Sequence, residues 1–176
     1  VGAAAEGSGG RWCELARPQV HGHDVITACV VPSPPSHPRR RWSCPAHTLV
    51  SGGDEKVLRV YQATTGFLQA LEDVADLPPH VDDAEVFPAL ERSLTAYLPE
   101  LGLSARGLTR HQYEEVQRGA RKIEGGSTAP PVAPLHAPPS EERLAAGTQW
   151  PEMDKLYGHG NELLCVAANP EGTLIA

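Results

Sequence analysis

The distribution of apolar positions predicts a few short strands separated by long polar or proline-rich stretches. Residues 25–31 read VITACVV, a near-continuous apolar run that is rich in β-branched residues. Such a run is typical of a strand that is covered on both faces. Residues 48–51 and 57–61 form two further apolar runs, and the GGDE sequence between them supplies a tight turn. We therefore predict that these strands lie next to one another in an antiparallel sheet.

A turn-strand unit occurs twice along the chain. Residues 21–26 read HGHDVI and residues 159–164 read HGNELL, and each is followed by an apolar run that contains a cysteine. Recurrence of one supersecondary unit is the signature of repeat architectures. We therefore expect a second partial sheet around residues 163–175, with a hairpin turn at the NPEG sequence of residues 169–172.

Two weaker patterns predict additional strands. Residues 12–15 read WCEL and predict a short strand at the outer edge of a preceding unit. Residues 67–71 read FLQAL and predict an outer strand after a turn at residues 64–66.

The middle of the chain carries a helical pattern followed by a linker pattern. In residues 85–98 apolar side chains recur at four-residue spacing, which predicts an amphipathic helix. Residues 110–124 are polar throughout and are interpreted as a solvated helix or as a disordered segment. Residues 125–139 contain five prolines and predict a linker. Ser140 then predicts the cap of a short helix over residues 141–146.

The composition favours ordered islands joined by loops over one large core. The chain of 176 residues has 17 glycines and 17 prolines, and only 5% of its residues are aromatic. It lacks an initial methionine and ends within an apolar run, so we interpret it as an internal fragment of a larger protein.

The net charge and the positions of the cysteines limit the classes of function that the sequence supports. A net charge of -7 argues against a chain that wraps nucleic acid by itself, although it leaves room for a local basic patch. The four cysteines are scattered without a Cys-x-x-Cys pair, which fits a reducing compartment better than a disulfide scaffold. The sequence shows no apolar run near the ~18 residues of a membrane span. The first ten residues lack the apolar segment of a signal peptide.

Several segments together resemble WD-repeat proteins. These segments are ELARPQVHG (residues 14–22), VSGGDEKVLRV (50–60), LGLS (101–104) and WPE with KLYGHG (150–160). The residues of these segments and their order along the chain resemble the WD-repeat family. More narrowly, they resemble the WD-repeat propeller subunits of the Elongator complex.

The resemblance implies an all-β fold. This would be a partial β-propeller of about two incomplete blades, with long Pro/Gly-rich irregular insertions and one or two short helices. Residues 1–10 would be a flexible tail, and residues 11–75 a WD-repeat blade with an insertion at residues 32–45. Residues 76–148 would be an irregular or helical insertion and linker, and residues 149–176 the truncated start of the next blade.

The resemblance also implies a non-catalytic scaffold role in the Elongator complex, whose catalytic subunit modifies wobble uridines in transfer RNA. The partners would be the other Elongator subunits, with transfer RNA reached only indirectly through the complex. It implies no cofactor, no small-molecule substrate and no membrane, and a location in the cytoplasm and also in the nucleus. The alternatives are a WD-repeat scaffold of another assembly and a small metal-dependent hydrolase.

A blade of this kind predicts a structural hydrogen-bond network of His21, Ser51, Asp54 and Tyr61, with His159 in the second His-Gly turn. The histidine would meet the turn aspartate and the strand hydroxyl, and Tyr61 stands where many WD repeats carry tryptophan. The alternative is that Asp54 is simply a turn residue and that His21 is solvated.

Charged residues beside the tight turn are candidate partner contacts. Glu55, Lys56 and Arg59 flank this turn and alternate with apolar positions, so we predict that they face a partner. A plain exposed strand edge is the alternative. The RRRW sequence of residues 39–42 is interpreted either as a contact for RNA phosphates with an aromatic stack or as a solvated charge run.

Motifs for catalysis are missing from the sequence. It contains no Gly-x-Ser-x-Gly elbow, no Gly-x-x-x-x-Gly-Lys loop and no His-Glu-x-x-His sequence. The residues His21, His23, Cys44 and His47 are of the types that bind zinc, but their spacing matches no closed ligand set. We therefore predict no metal site and no enzyme activity.

Overall fold

The computed structural model describes residues 12–18, 22–32, 48–75, 92–99, 102, 104–119, 121–123 and 138–176. Within these ranges short antiparallel strands are accompanied by a few short helices. In chain order the elements are β1 (Val25–Val31), β2 (Thr48–Gly53), β3 (Leu58–Gln62), α1 (Thr65–Ala75), β4 (Thr95–Tyr97), β5 (Arg106–Leu108), α2 (Arg110–Gln117), α3 (Glu141–Gly147) and β6 (Glu152–Leu156).

The main sheet has four antiparallel strands in the order β1-β2-β3-β6. Cys29 of β1 lies opposite Val50 of β2, and Val50 lies opposite Val60 of β3. The sequence prediction of adjacent antiparallel strands in this part of the chain is therefore confirmed.

Strand β6 lies far from β3 in sequence but beside it in the sheet. Leu58 pairs with Leu156, and Arg59 pairs with Lys155. The sequence analysis assigned this strand to the start of a following unit, whereas its hydrogen bonds make it the fourth strand of the first sheet. The boundaries given for the four segments of the chain stay a prediction.

Each face of the β2–β3 part of the sheet is covered by its own apolar cluster. On one face the buried side chains of Val50 and Leu58 pack with Leu163 and Val166 from the second His-Gly unit. On the other face Tyr61 packs with Leu68 of α1 and with the residues Ala63 and Trp150. Because residues directly opposite in a sheet share a face, Val50 and Leu58 lie on one face of β2 and β3, and Tyr61 lies on the other. In β1, by contrast, Ile26, Ala28 and Val30 on one face are exposed, so the expected cover on both faces of this strand is wrong.

Residues 67–71 form part of α1 and not the predicted outer strand. The first N–H groups of the helix find acceptors outside it: Thr65 N donates to Ser93 O and Gly66 N donates to Leu94 O, each at 3.0 Å. The hydroxyl of Thr64 accepts from Phe67 N at 3.1 Å. The helix is therefore favoured by contacts with a segment about 30 residues downstream, which a local pattern cannot reveal.

Other strand and helix predictions were wrong. Residues 12–15 form no strand, and Trp12 is fully exposed. The end of the predicted helix over residues 85–98 is instead strand β4, which pairs with β5. Residues 85–91 of that prediction lie outside the described residues. So do the predicted tail, most of the insertion at residues 32–45 and most of the linker at residues 125–139.

The second turn-strand unit forms the predicted hairpin turn and a short antiparallel pairing, which is less than the expected partial sheet because residues 163–166 have no strand partner there. Gly172 N donates to Asn169 O at 3.0 Å and Gly172 has a φ of 66°, so the predicted turn is confirmed. The two arms of the turn pair over a short length: Ala167 and Ala176 exchange N–H···O bonds of 2.8 and 2.9 Å, and one bridge joins Ala168 to Ile175. The residues before it pack on the first sheet, and Val166 N donates to the hydroxyl of Thr27 in β1 at 2.8 Å.

The polar stretch after β5 contains a solvated helix, one of the two interpretations of the sequence. Helix α2 buries none of its residues and begins with a capping box, in which Thr109 accepts from Gln112 N and Gln112 accepts from Thr109 N. Helix α3 also starts where it was predicted, after Ser140. The hydroxyl of Ser140, however, makes no capping hydrogen bond.

This difference between the two caps predicts different effects of alanine substitution. Thr109→Ala should destabilise α2 by about 1 kcal/mol, because Gln112 N loses the hydroxyl that accepts its hydrogen bond. Amide hydrogen exchange in α2 should accelerate about fivefold as a result. Ser140→Ala is the matched control and should leave exchange in α3 unchanged. Equal effects at the two caps would contradict this prediction.

Candidate protein-interaction site

A cluster of compensated charges links the tight turn, β3 and β6. The guanidinium of Arg59 donates to Glu152 Oε2 at 2.8 Å and to Glu55 Oε2 at 2.6 Å. The ammonium of Lys155 lies 3.3 Å from Glu152 Oε1. Only 9% of the Arg59 side chain and 8% of the Glu152 side chain are exposed. The cluster therefore holds two positive and two negative groups, with its central ion pair removed from water.

Burial and charge act in opposite directions on Arg59. Burial lowers the pKa of the guanidinium, but the hydrogen bonds and charges of Glu55 and Glu152 outweigh it and leave the pKa above its usual range. The arginine is thus held in its charged form by two carboxylates. The cluster is suited to fixing β6 against β3 and to shaping the turn.

Tyr61 lies beside this cluster on the same face of β3 and is 1% exposed. Burial, reinforced by the negative charge of Glu152, raises the pKa of its phenol to about 12. A phenol in an unfolded chain has a pKa near 10.

This raised pKa predicts a loss of stability at alkaline pH. The folded pKa lies above the unfolded one, so the contribution of Tyr61 is complete below pH 10 and is lost as the pH rises toward 12. The free energy of unfolding should fall by about 1 kcal/mol near pH 11. Urea unfolding at a series of pH values should show this fall in the wild type and a smaller one in Tyr61→Phe. Identical pH dependence of the two proteins would refute the assignment.

The structure places the predicted network residues in different environments. Ser51 is completely buried on β2 opposite Arg59, so Ser51, Arg59 and Tyr61 share one face of the sheet. Asp54 is exposed in the turn, where its backbone N–H donates to Asp24 O at 3.3 Å. His159 is exposed. His21 lies outside the described residues, so the network of the four side chains stays a prediction.

The three candidate partner contacts also differ. Arg59 is buried and engaged with Glu55 and Glu152. Lys56 is exposed, and its ammonium donates to the carbonyl of Gly160 at 2.6 Å. This bond joins the tight turn to the second His-Gly turn. Glu152 was not singled out from the sequence, because only the β3–β6 register brings it to Arg59.

Exposed apolar side chains flank the joined turns. Tyr157 is 74% exposed and Leu164 is 82% exposed, and they stand on either side of Gly160 in the sequence. We define the rim as these two side chains together with Lys56 and His159, all of which are exposed in or beside the joined turns. Aromatic and aliphatic side chains next to polar ones are the groups that anchor protein interfaces.

The residue types that bind metals do not converge in the part of the chain that the structure describes. No group of three or more His, Cys, Asp or Glu side chains there is arranged to hold a metal ion. Of the zinc-type residues considered above, only His23 lies in the described ranges, where its Nε2 is 4.0 Å from Glu55. In the same ranges no helix is long and apolar enough to cross a membrane.

The chain is similar along almost all of its length to Elongator complex protein 2 from several organisms. The identity is 38% over 170 residues with the protein of Arabidopsis thaliana, which covers 94% of this chain and 19% of that protein. The identity with the protein of Drosophila melanogaster is 30%, over 97% of this chain and 20% of that protein. The identity with the protein of Saccharomyces cerevisiae is 32%, over 94% of this chain and 18% of that protein. The chain thus spans about one fifth of the length of these curated relatives. No family model matches the chain.

Proposed function

We propose that this chain, which is related along nearly its whole length to one segment of Elongator complex protein 2, is part of a non-catalytic scaffold subunit of the Elongator complex. The subunit would hold the other Elongator subunits together and so support the modification of wobble uridines in transfer RNA. It would reach transfer RNA through the assembly and would carry no cofactor.

The pairing order of the main sheet is the observation that carries this proposal. Four antiparallel strands that pair in chain order form the unit from which a β-propeller blade is built. Coverage of both faces of β2 and β3 by separate apolar clusters fits a sheet stacked between neighbours. We therefore propose that β1, β2, β3 and β6 form one blade, and that residues 63–151 are inserted between its third and fourth strands.

A propeller serves as a scaffold through its loops, which rigid strands hold in place. The rim is such a loop surface, since Lys56 fixes the second His-Gly turn to the turn between β2 and β3. We propose the rim as a contact for a protein partner. Glu55 and Arg59 would then act behind it by holding the turn in position.

Affinity capture of the complete protein from its own cells tests the proposal. We expect the other Elongator subunits to be recovered with it, and we expect wobble-uridine modification, measured by nucleoside mass spectrometry, to fall when the gene is deleted. Capture of a different set of proteins, together with unchanged modification, would refute the proposal and point to a scaffold of another assembly.

Two substitutions in the complete protein test the rim. Tyr157→Ser with Leu164→Ser should reduce the recovery of at least one subunit, because exposed apolar anchors dominate interface energies. Met153→Ser is the matched control, since Met153 is 55% exposed on β6 away from the joined turns. Full recovery with the double variant would exclude the rim as a contact.

A further inference from the structure

A second surface of the chain, formed by α2 and its flanks, is strongly basic. Within residues 104–119 and 121–123 five cations face solvent: Arg106, Arg110, Arg118, Arg121 and Lys122. Two carboxylates, Glu114 and Glu115, accompany them, which leaves a local net charge of +3 in a chain whose overall charge is -7. We call these five cations the basic surface.

The backbone that carries the basic surface is fixed to the main sheet. Ala105 O, next to Arg106, accepts from Glu152 N at 3.0 Å, and Leu108 O accepts from Leu94 N at 2.7 Å. The capping box of Thr109 and Gln112 then fixes the start of α2. Because these contacts hold the backbone before any partner arrives, binding would cost little ordering of this segment.

The surface carries charge without apolar anchors. The large hydrophobic side chains that are exposed in the described residues all lie elsewhere, in residues 12–30 and 153–175. Protein interfaces need a desolvated apolar core, which α2 does not offer. Four of the five cations are arginines, whose planar guanidinium matches phosphate oxygens in two parallel hydrogen bonds.

The carboxylates on α2 neutralise this charge only in part. Glu115 lies 3.8 Å from both Arg121 and His111, and all three side chains are at least partly exposed. Such pairs are weak and are readily exchanged for another anion. Glu114 is exposed and lies one helical turn after Arg110 and one before Arg118, where it opposes the binding of an anion to either.

We propose that the basic surface binds the phosphate backbone of RNA. The choice of RNA among phosphate polymers rests on the proposed function, in which the assembly acts on transfer RNA. The contact is electrostatic and positions the RNA without reading its sequence. It would add a direct RNA contact to the indirect one of the proposed function, in a chain whose overall charge is -7.

RNA binding by the purified complete protein tests this proposal. A labelled transfer RNA is titrated at several salt concentrations against the wild type and against Arg110→Glu with Arg118→Glu. We expect the double variant to bind about tenfold or more weakly, with a salt dependence smaller by about two released counterions. Arg110→Lys with Arg118→Lys should retain most of the affinity. Glu114→Gln should increase it, an effect that damage to the fold would not produce.

Three results would overturn the proposal. The first is equal RNA affinity of the wild type and the charge-reversed variant. The second is an identical salt dependence of RNA binding for the two proteins, which would mean that the substitutions remove no phosphate contact. The third is unchanged RNA binding with the loss of one captured subunit, which would make the surface a contact for an acidic protein. The scaffold role is tested separately: it is refuted if the wild-type protein captures no Elongator subunit, whatever the result of the RNA titration.

Discussion

Replacing Glu152 by alanine is expected to destabilise the four-stranded sheet by about 3 kcal/mol, because it leaves the buried guanidinium of Arg59 with one carboxylate in place of two. Removing one partner of a buried ion pair lowers the stability of the fold by far more than the intact pair adds to it, because the remaining charge stays buried without a partner. Amide exchange in β3 and β6 of the complete protein, followed by mass spectrometry, should accelerate about a hundredfold.

The chain offers a matched control for this substitution. Arg17 donates to Glu141 at 2.6 and 2.8 Å, distances like those in the buried pair, but the Glu141 side chain is 76% exposed. Glu141→Ala should therefore leave exchange in the sheet unchanged, because water screens an exposed pair. Replacing Arg59 and Glu152 together by methionine and leucine should recover part of the loss. An equal effect of Glu152→Ala and Glu141→Ala would show that burial of the pair does not matter.

The second large effect is expected at Trp150. Trp150 is 7% exposed, and its ring packs edge-on against Phe67, with 4.9 Å between the ring centroids and an interplanar angle of 65°. It also contacts the cluster of Tyr61, Ala63 and Leu68, so it joins α1 to the sheet just before β6 begins. Trp150→Ala should destabilise this region by about 3 to 5 kcal/mol, through lost burial and the cavity that remains.

Phenylalanine at this position is the informative comparison. The indole Nε1 is buried and has no hydrogen-bond partner among the described residues, so its N–H contributes a cost that phenylalanine would remove. Trp150→Phe should therefore cost about 1 kcal/mol or less. The free energy of unfolding of both variants is measured by urea unfolding, and the local effect is measured by amide hydrogen exchange in α1. A loss for Trp150→Phe as large as that for Trp150→Ala would mean that the indole nitrogen is bonded in solution.

The sequence predicts those elements whose pattern is set by their own residues. Strands β1, β2 and β3 are short runs rich in apolar residues, and the glycine-rich turn between β2 and β3 is a local signal. The same holds for the turn that ends at Gly172, whose positive φ suits glycine. In each case the physical cause lies within a few residues of the element.

The errors have a common physical origin in contacts between distant segments. Helix α1 was taken for a strand because FLQAL is compatible with both, and the acceptors at Ser93 and Leu94 favour the helix. Strand β6 reads EMDKL, with three charged residues of five, and belongs to the sheet only through its register with β3. The ion pair of Arg59 was missed for the same reason, since its partner Glu152 comes from β6.

The position of the insertion has a consequence for folding during synthesis. Strand β3 and its neighbour β6 are separated by about 90 residues, and closing so long a segment is slow compared with forming the hairpins of β1, β2 and β3. At ~5–20 residues per second the ribosome needs roughly 5 to 18 seconds to supply β6 after β3 has been made. For that time the backbone of residues 58–62 presents an open strand edge, the feature through which nascent chains aggregate or bind chaperones.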